Sequence, residues 1–499
     1  MENQRKFRYC KTKPRVFVVS DISNEPDDAE SLVRFLLYGN EFDIKGLVAC
    51  TSTWMRSAVH PEDMVTIVQA YKQVVSNLNT HVHPDNQYPS AEYLLGLIKS
   101  GPPVYGRIAL EDGFPLSDGA ALLIEQLSAS DEPLWVLCWG GTNVLAQALK
   151  HIEQTKSTFD ASHLRSKLRI YAISDQDDTG LWIRVTYPDV FYICSIHGWG
   201  HYSLSTWVGI SGSWFDGDGP DATKVTKAWL KEHIQIGPLG AVYPDPIHLM
   251  EGDTPSFLYL VQNGLGSSEN PDWGSWGGRY SLIDLEHTAR HYSDTTDRVV
   301  GKDGKSYNSN QATIWRWRDA FQNDFAARMK WTLTADISLA NHAPVVVVNG
   351  SEGPEALLLS VEAGDEVVLD ASKSYDPDNT KLNFSWFQYR GPSMEPAGLI
   401  DLQVPNVDIV QVGDAQSPWS KIKVRLPPPG KCAIDFLSGK PQTEGLIFHI
   451  ILEVKDTGTP CLCTYKRVVV QATNHRLRGG RDKAIGTVTE WLEMNGLTP

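Results

Sequence analysis

Four carboxylates lie within eight residues near the start of the chain. Asp21, Glu25, Asp27 and Asp28 belong to the run SDISNEPDDA, which directly follows a predicted strand. Acidic side chains this close repel one another in a dry site unless a cation neutralises them. Oxygen ligands suit Ca²⁺ or Mg²⁺ rather than zinc. A helix start also attracts acids, and Pro26 is typical there, but capping needs only one or two acids. We therefore predict a metal or substrate site in this run.

The elements that must position this run alternate between strands and helices. Apolar runs at Val16–Val19, Ile44–Cys50 and Leu134–Trp139 predict buried strands, and an apolar stripe over Asp28–Tyr38 predicts a helix. This alternation predicts a mostly parallel sheet covered by helices on both faces. Ligands of such sheets bind at the carboxyl ends of the strands, which is where the acidic run lies.

The pattern changes near Ala343, where short β-like runs and turn signals replace the alternation. Their number over about 130 residues predicts a β-sandwich. The predicted organisation is therefore an α/β domain over residues 12–340, an all-β domain over 343–475, and a tail or short capping helix over 476–499.

Composition excludes several classes of protein. Hydrophobic residues make up 41% of the chain, so a core can form, and 45 Lys+Arg against 60 Asp+Glu give a net charge of −15. That balance argues against a protein that coats nucleic acid. The chain contains no apolar run of about 18 residues, so no membrane span is predicted. The basic N-terminal segment lacks the apolar stretch of a secretory signal, so we expect a cytoplasmic protein, with secretion as the alternative.

Tryptophans concentrate in the first predicted domain, where 13 of the 16 precede residue 332. A flat indole face can stack on a sugar ring, although a large apolar side chain more commonly packs a loop. Trp273 and Trp276 lie among glycines and are the favoured ligand contacts of this set. Five tryptophans lie in or beside the predicted polar loops: Trp182, Trp199, Trp207, Trp273 and Trp276.

The acidic run resembles the N-terminal signature of the nucleoside hydrolase fold, an aspartate-rich loop that ends in Asp-Asp-Ala. The sequence SDISNEPDD within it is similar to that of a branch of cellulose-binding proteins with a nucleoside-hydrolase-like domain and a C-terminal immunoglobulin-like domain. Residues 369–378, LDASKSYDPD, resemble the start of that second domain. The fold implied is a mostly parallel sheet flanked by helices, followed by an immunoglobulin-like β-sandwich. Further matching motifs are WGGTN at 139–143, SDQDDTG at 174–180, EGDTP at 251–255 and WGSWGGRY at 273–280.

The resemblance implies a Ca²⁺ ion at the bottom of a pocket, with the attacking water bound to it. Aligned on the double aspartate, Asp28 takes a metal-ligand position and Asp27 a position that binds sugar hydroxyls. Asp253 matches the late aspartate of the ligand set. A backbone carbonyl near Trp139 or Gly140 would complete it.

Ser23 departs from the family pattern, because it stands where the family has the aspartate credited as metal ligand and base. Asp21 or Glu25 is expected to supply the missing oxygen; otherwise the site has lost its hydrolase chemistry. The predicted metal ligands are accordingly Asp21, Asp28 and Asp253, and the predicted catalytic residues are Asp21, Glu25 and Asp27.

The chemistry implied is cleavage of a glycosidic or N-glycosidic bond through an oxocarbenium-like state. An activated water and nearby carboxylates would support it. We therefore expect a Ca²⁺-assisted hydrolase acting on a small carbohydrate or nucleoside. The alternative is a non-catalytic protein that binds cellulose-type polysaccharide. The family often forms symmetric assemblies, so a homo-oligomer is also expected. The predicted substrate contacts are Asn24, Asp27, Trp182, Trp273, Trp276 and Arg279.

Overall fold

The structure is a computed structural model that describes residues 6–212, 215–284, 288–393, 404–413 and 417–494, without the side chains of residues 199, 200, 488 and 491. The chain divides into two compact units between His342 and Ala343, with Asn263–Leu265 belonging to the second unit. Among the described helices, none is long and apolar enough to cross a membrane.

An eight-stranded sheet forms the centre of the first unit, in the order β3-β2-β1-β4-β5-β6-β8-β7. Every pair of neighbours is parallel except β7 and β8. A separate hairpin pairs β9 (Asp297–Val300) with β10 (Ser306–Ser309). The strands of the large sheet are β1 (Arg15–Ser20), β2 (Asp43–Ala49), β3 (Ile98–Ser100), β4 (Leu134–Cys138), β5 (Leu168–Ala172), β6 (Phe191–Cys194), β7 (Tyr280–Leu282) and β8 (His291–Asp294).

Helices flank this sheet because each carries an apolar stripe. Leu123 and Leu149 join the strand residues Val19 and Val136 in one buried core cluster. The helices are α1 (Pro26–Leu37), α2 (Pro61–Lys72), α3 (Val75–Leu78), α4 (Ala91–Leu97), α5 (Asp118–Ser128), α6 (Asn143–Thr155), α7 (Thr158–Ser166), α8 (Thr179–Thr186), α9 (Lys227–His233), α10 (Gly237–Gly240), α11 (Thr254–Leu258), α12 (Ala312–Trp315) and α13 (Arg318–Trp331).

The strand order reverses at β1, because β2 lies on one side of it and β4 on the other. In an open α/β sheet such a reversal leaves a crevice outside the carboxyl ends of the two strands, where ligands bind. The acidic run begins at Asp21, directly after β1, and α1 starts at Pro26. The predicted strand and helix around the run are therefore present, and they hold it at this crevice.

The second unit is an all-β sandwich. A four-stranded sheet, β13-β19-β18-β15, and a three-stranded sheet, β14-β17-β16, share one apolar core that includes Leu369, Ile422, Phe448 and Val468. The predicted fold class, α/β followed by an all-β sandwich, is confirmed. The strands are β11 (Val347–Val348), β12 (Ser351–Glu352), β13 (Leu357–Glu362), β14 (Glu366–Asp370), β15 (Asn383–Gln388), β16 (Asp408–Gln411), β17 (Lys421–Arg425), β18 (Glu444–Lys455) and β19 (Cys463–Thr473), with short helices α14 (Pro429–Cys432) and α15 (Val488–Met494).

Candidate functional site

A cavity of about 200 Å³ opens at the crevice beside β1. Loops that follow four neighbouring strands, β2, β1, β4 and β5, contribute to its wall. Its lining is acidic and aromatic: Asp21, Asn24, Glu25, Asp27, Asp28, Trp54, Trp139, Ile173, Gln176, Tyr202, Trp207, His248, Gly252 and Asp253.

Three carboxylates meet in this cavity. One ligand oxygen from each of Asp27, Asp28 and Asp253 lies within 4.8 Å of the others. Asp27 and Asp28 belong to the first turn of α1, whereas Asp253 comes from a turn more than two hundred residues later. We call these three residues the acidic cluster.

A strained turn presents Asp253 to the cavity. Glu251 is fully buried and has a φ of 56°, which is unusual for a residue other than glycine. Its carboxylate accepts a hydrogen bond from the Arg34 guanidinium at 2.6 Å, and its backbone N–H donates to Glu30 at 2.8 Å. Arg34 and Glu30 belong to α1, so the same helix that carries Asp27 and Asp28 also fixes the turn that ends at Asp253.

The charges of the acidic cluster are unbalanced within the described residues. Burial and the neighbouring carboxylates of Asp21 and Glu25 raise the pKa of Asp27 to about 7. Burial, followed by the charges of the neighbouring aspartates, holds the pKa values of Asp28 and Asp253 well above the usual range. The Oδ2 atom of Asp253 is buried and has no hydrogen-bond partner. An all-oxygen set with these properties fits a divalent cation such as Ca²⁺.

Glycines clear the space that these carboxylates occupy. A Cβ atom on Gly140 would lie 2.7 Å from Oδ1 of Asp21, and one on Gly252 would lie 2.8 Å from Oδ2 of Asp27. Carbon and oxygen atoms cannot approach so closely, so any larger residue would displace the acids. The WGGTN and EGDTP motifs therefore help to shape the cavity.

Ser23 faces away from the acidic cluster. It is exposed, has a φ of 82°, and its hydroxyl donates to the carboxylate of Asp63 at the start of α2. Asp21 instead lines the cavity and is 2% exposed, with a buried Oδ2 atom that has no hydrogen-bond partner. Burial raises its pKa to about 6. Asp21 lies outside the acidic cluster. The third member of that cluster is Asp27, whereas Asp21 was the residue predicted to join Asp28 and Asp253.

Two backbone carbonyls were predicted as alternatives for a further ligand, those of Trp139 and Gly140, and the first already accepts one hydrogen bond. The side-chain amide of Gln176 donates a hydrogen bond to the carbonyl of Trp139. Glu25 lines the cavity but is exposed, and Asn24 is half-buried beside it.

Four predicted substrate contacts are not among the residues that the structure places around this cavity: Trp182, Trp273, Trp276 and Arg279. Arg279 is fully buried in an ion pair with Asp297 at 2.9 Å, so its guanidinium is engaged within the fold. Trp276 is 2% exposed and Trp182 packs against the core. Trp273 is half-buried at the end of a 3-10 turn, Pro271–Trp273. Trp207 does line the cavity, whereas the side chain of Trp199 lies outside the described residues.

The lining residues that were not predicted as ligand contacts include Trp54, Tyr202 and His248. Trp54 offered a signal, because it follows the end of β2 by five residues and so lies in a loop at the carboxyl edge of the sheet. Tyr202 lies in a kinked 3-10 helix, Trp199–Leu204, and His248 in an irregular segment, and no periodic pattern predicts either position.

Comparisons with known proteins agree with this architecture. The sequence pattern described as "Cellulose-binding Sde182, nucleoside hydrolase-like domain" matches residues 15–280, and "Cellulose-binding protein Sde0182, C-terminal domain" matches residues 366–472. No curated protein matches the sequence.

Among solved structures, the chain is similar to a nucleoside hydrolase-related hypothetical protein from Saccharophagus degradans that is associated with carbohydrate metabolism. The two are 31% identical with a TM-score of 0.72, over 92% of this chain and 99% of the other. An inosine-uridine preferring nucleoside hydrolase from Bacillus anthracis matches 64% of this chain and 100% of its own at 12% identity, with a TM-score of 0.31, which is too low to support any argument. The chain thus belongs to the family of cellulose-binding proteins with a nucleoside-hydrolase-like domain.

Proposed function

We propose that the cavity binds a divalent cation and one neutral sugar ring, and that the protein hydrolyses a glycosidic or N-glycosidic bond of that sugar. The observation that supports this most directly is the acidic cluster, in which three carboxylate oxygens lie within 4.8 Å of one another. Membership of a cellulose-binding family supports a carbohydrate as the ligand.

Asp28 and Asp253 are the residues best suited to hold the cation, because each is 3% exposed and each carries a raised pKa without a nearby positive charge to lower it. Ca²⁺ is the expected ion, since the donors are all oxygens. When bound, such a cation activates and orients a water molecule. Asp27 is only partly buried, so it can also accept hydrogen bonds from sugar hydroxyls.

Asp21 is the proposed proton acceptor. Its carboxylate lines the same cavity, and its Oδ2 atom has no hydrogen-bond partner in the structure. Burial raises its pKa to about 6, close to the operating pH that a general base requires. In this scheme Asp21 takes over the task that the family assigns to the position of Ser23.

The walls favour a neutral sugar over an anion. Trp54 and Trp207 contribute indole groups to the cavity lining, while the carboxylates would accept hydrogen bonds from hydroxyl groups. A phosphorylated ligand would meet like charge on the acidic side.

A second candidate function is carbohydrate binding without turnover. It is favoured by Ser23, whose hydroxyl donates to Asp63 outside the acidic cluster, and by the carbonyl of Trp139, which already accepts a hydrogen bond from Gln176. A site that lacks the aspartate at position 23, and in which this carbonyl is shared with Gln176, could retain cation and sugar while losing the attack step.

Release of reducing sugar separates the two candidates. Short glycans, aryl glycosides and nucleosides would be incubated with the full chain and Ca²⁺, alongside Asp21→Asn, Asp28→Asn and the control Asp85→Asn, which changes an exposed acid. The proposal predicts release by wild type and control, and a loss of at least about a hundredfold in both site variants. Sugar binding without release by the wild type would favour the second candidate.

A further inference from the structure

The cavity changes in character from its interior to its rim. The interior carboxylates Asp21, Asp28 and Asp253 are 2–3% exposed, whereas Trp54 is 56% exposed although it lines the same cavity. Glu25 and His248 are also exposed lining residues. The Trp54 indole is therefore part of the exposed rim of the cavity.

A tight turn holds Trp54 at the rim. The Ser52 hydroxyl accepts hydrogen bonds from the backbone N–H groups of Trp54 and Met55 at 3.1 and 3.2 Å, and the Ser52 N–H donates to the Met55 carbonyl at 2.9 Å. Thr53 N–H donates at 2.6 Å to the carbonyl of Gln176, whose side chain lines the cavity. The backbone that carries Trp54 is therefore held in a turn and tied to a residue of the cavity wall.

Further planar groups lie beyond the turn. The Arg56 guanidinium lies 4.6 Å from the centre of the Tyr105 ring, and Arg56 Nε donates to the Thr53 carbonyl at 3.0 Å. The hydroxyls of Thr53 and Tyr105 lie 3.2 Å apart.

We propose that Trp54 stacks on the second sugar ring of a neutral glycan whose terminal ring occupies the cavity. This inference rests on the proposed function and names its substrate class: an oligosaccharide recognised from one end. The cavity, at about 200 Å³, is smaller than the ~300–1,000 Å³ usual for ligand clefts. The cavity therefore suits one sugar ring, and the rest of the ligand must extend out of the cavity across its rim.

The rim suits a sugar better than a nucleobase. Discrimination of a base depends on buried polar groups that pair with its ring edges, and the polar rim residues Glu25 and His248 are exposed to water. A sugar ring needs an apolar face for stacking and tolerates water around its hydroxyls. The exposed Trp54 indole provides such a face.

The test is calorimetric titration of the full chain in Ca²⁺ with matched probes: glucose and cellobiose, xylose and xylobiose, mannose and mannobiose, and inosine. The variants are Trp54→Ala and Trp54→Phe. The control is Trp229→Ala, which alters an indole that is packed on His233. Thermal unfolding of each variant verifies that it is folded.

We expect one disaccharide to bind the wild type roughly tenfold more tightly than its monosaccharide, a gain of the size that aromatic stacking supplies. Trp54→Ala should remove this gain and leave the monosaccharide affinity unchanged. Trp54→Phe should keep most of the gain, and Trp229→Ala all of it.

Several outcomes would overturn the inference: equal affinity for mono- and disaccharide, a Trp54→Ala loss that is the same for both, or inosine as the tightest ligand with an affinity that depends on Trp54. No sugar binding by the wild type would also overturn it. Failure of the proposed function looks different, since a disaccharide bound through Trp54 but never cleaved would contradict hydrolysis alone.

Discussion

Two groups of buried carboxylates in the first unit differ in how their charge is balanced. In one, Asp324 and Glu41 share the guanidinium of Arg328, which lies 2.8 Å from each. Burial raises the pKa of Asp324, but the charge of Arg328, a hydrogen bond from Tyr38 and the charge of Arg8 together outweigh burial, and the pKa is lowered. In the acidic cluster of Asp27, Asp28 and Asp253, no cationic side chain is paired with the carboxylates within the described residues, and their pKa values are raised.

The difference between the two groups indicates what each is for. Arg8 also pairs with Glu41, at 2.5 Å, so the two carboxylates of this structural network face two guanidinium groups. The acidic cluster remains electrostatically incomplete, and it borders a cavity rather than a packed core. Buried like charges are retained at functional sites, where a ligand or ion completes them.

The largest effect is expected from a variant that disrupts the group with balanced charges, which contains Asp324, Glu41 and Arg328. Arg328→Met should lower the free energy of unfolding by ~3–5 kcal/mol, because it leaves the buried carboxylate of Asp324 without its paired guanidinium and Glu41 with Arg8 alone. Denaturant unfolding would measure the change. Ca²⁺ affinity of the folded fraction should stay as in wild type, and a loss of affinity would mean that the two groups are not independent.

The next largest effect is expected from a variant that changes the acidic cluster. Asp253→Asn should weaken Ca²⁺ binding by about a hundredfold, or ~2.7 kcal/mol, while leaving stability without the ion unchanged or slightly increased because a repulsive charge is removed. Ca²⁺ titration and thermal unfolding without the ion would measure the two quantities. Asp324→Asn serves as the comparison, since it should lower stability and spare the ion site.

The pH dependence of the two groups should have opposite signs. Folded Asp21 and Asp27 hold their protons up to pKa values of about 6 and about 7, whereas unfolded aspartates lose theirs near pH 4. The ion-free protein should therefore lose stability as pH rises from 4 to 7, and the loss should exceed ~1.4 kcal/mol, the equivalent of one pKa unit. Asp324, with its lowered pKa, contributes stability that is lost only as pH falls below the normal aspartate range.

Thermal unfolding with and without Ca²⁺ at pH 5 and pH 8 tests this contrast. Added Ca²⁺ should raise the midpoint more at pH 8, since protons compete with the ion at pH 5. An equal or larger rise at pH 5 would contradict the raised pKa values.

The smallest effects are expected from alanine substitutions of two glycines. Gly140→Ala places a Cβ 2.7 Å from Oδ1 of Asp21, so turnover should fall by roughly tenfold while Ca²⁺ affinity is retained. Gly96→Ala, in α4, meets no atom within 4 Å and should stabilise the fold by ~0.5–1 kcal/mol. Initial rates and unfolding curves would measure both. An unchanged rate in Gly140→Ala would argue against Asp21 as the proton acceptor.

Regular elements with strong apolar patterns could be predicted from the sequence. The predicted strand at Val16–Val19 corresponds to β1, Arg15–Ser20, and the predicted helix at Asp28–Tyr38 to α1, Pro26–Leu37. Strand β3 had no such signal, because its three residues are only half-buried and do not alternate clearly.

The candidate site was predictable only where its residues are adjacent in sequence. The acidic run and the EGDTP motif indicated the carboxylates, but the arrival of Trp54 and His248 at one cavity depends on loop paths that no local pattern encodes. The glycines beside Trp276 suggested an open ligand loop. In the structure, a Cβ on Gly277 would lie 2.1 Å from the Pro255 carbonyl, so this glycine allows close backbone packing instead.

Calorimetric titration of Ca²⁺ into wild type and Asp28→Asn tests the central claim most directly, because Asp28 is the most deeply placed acid of α1 in the acidic cluster. One ion per wild-type chain, and binding at least about a hundredfold weaker in the variant, is the result expected of a cation site completed by these carboxylates. No binding by the wild type, or equal affinity in the variant, would contradict that site and the hydrolase proposed around it.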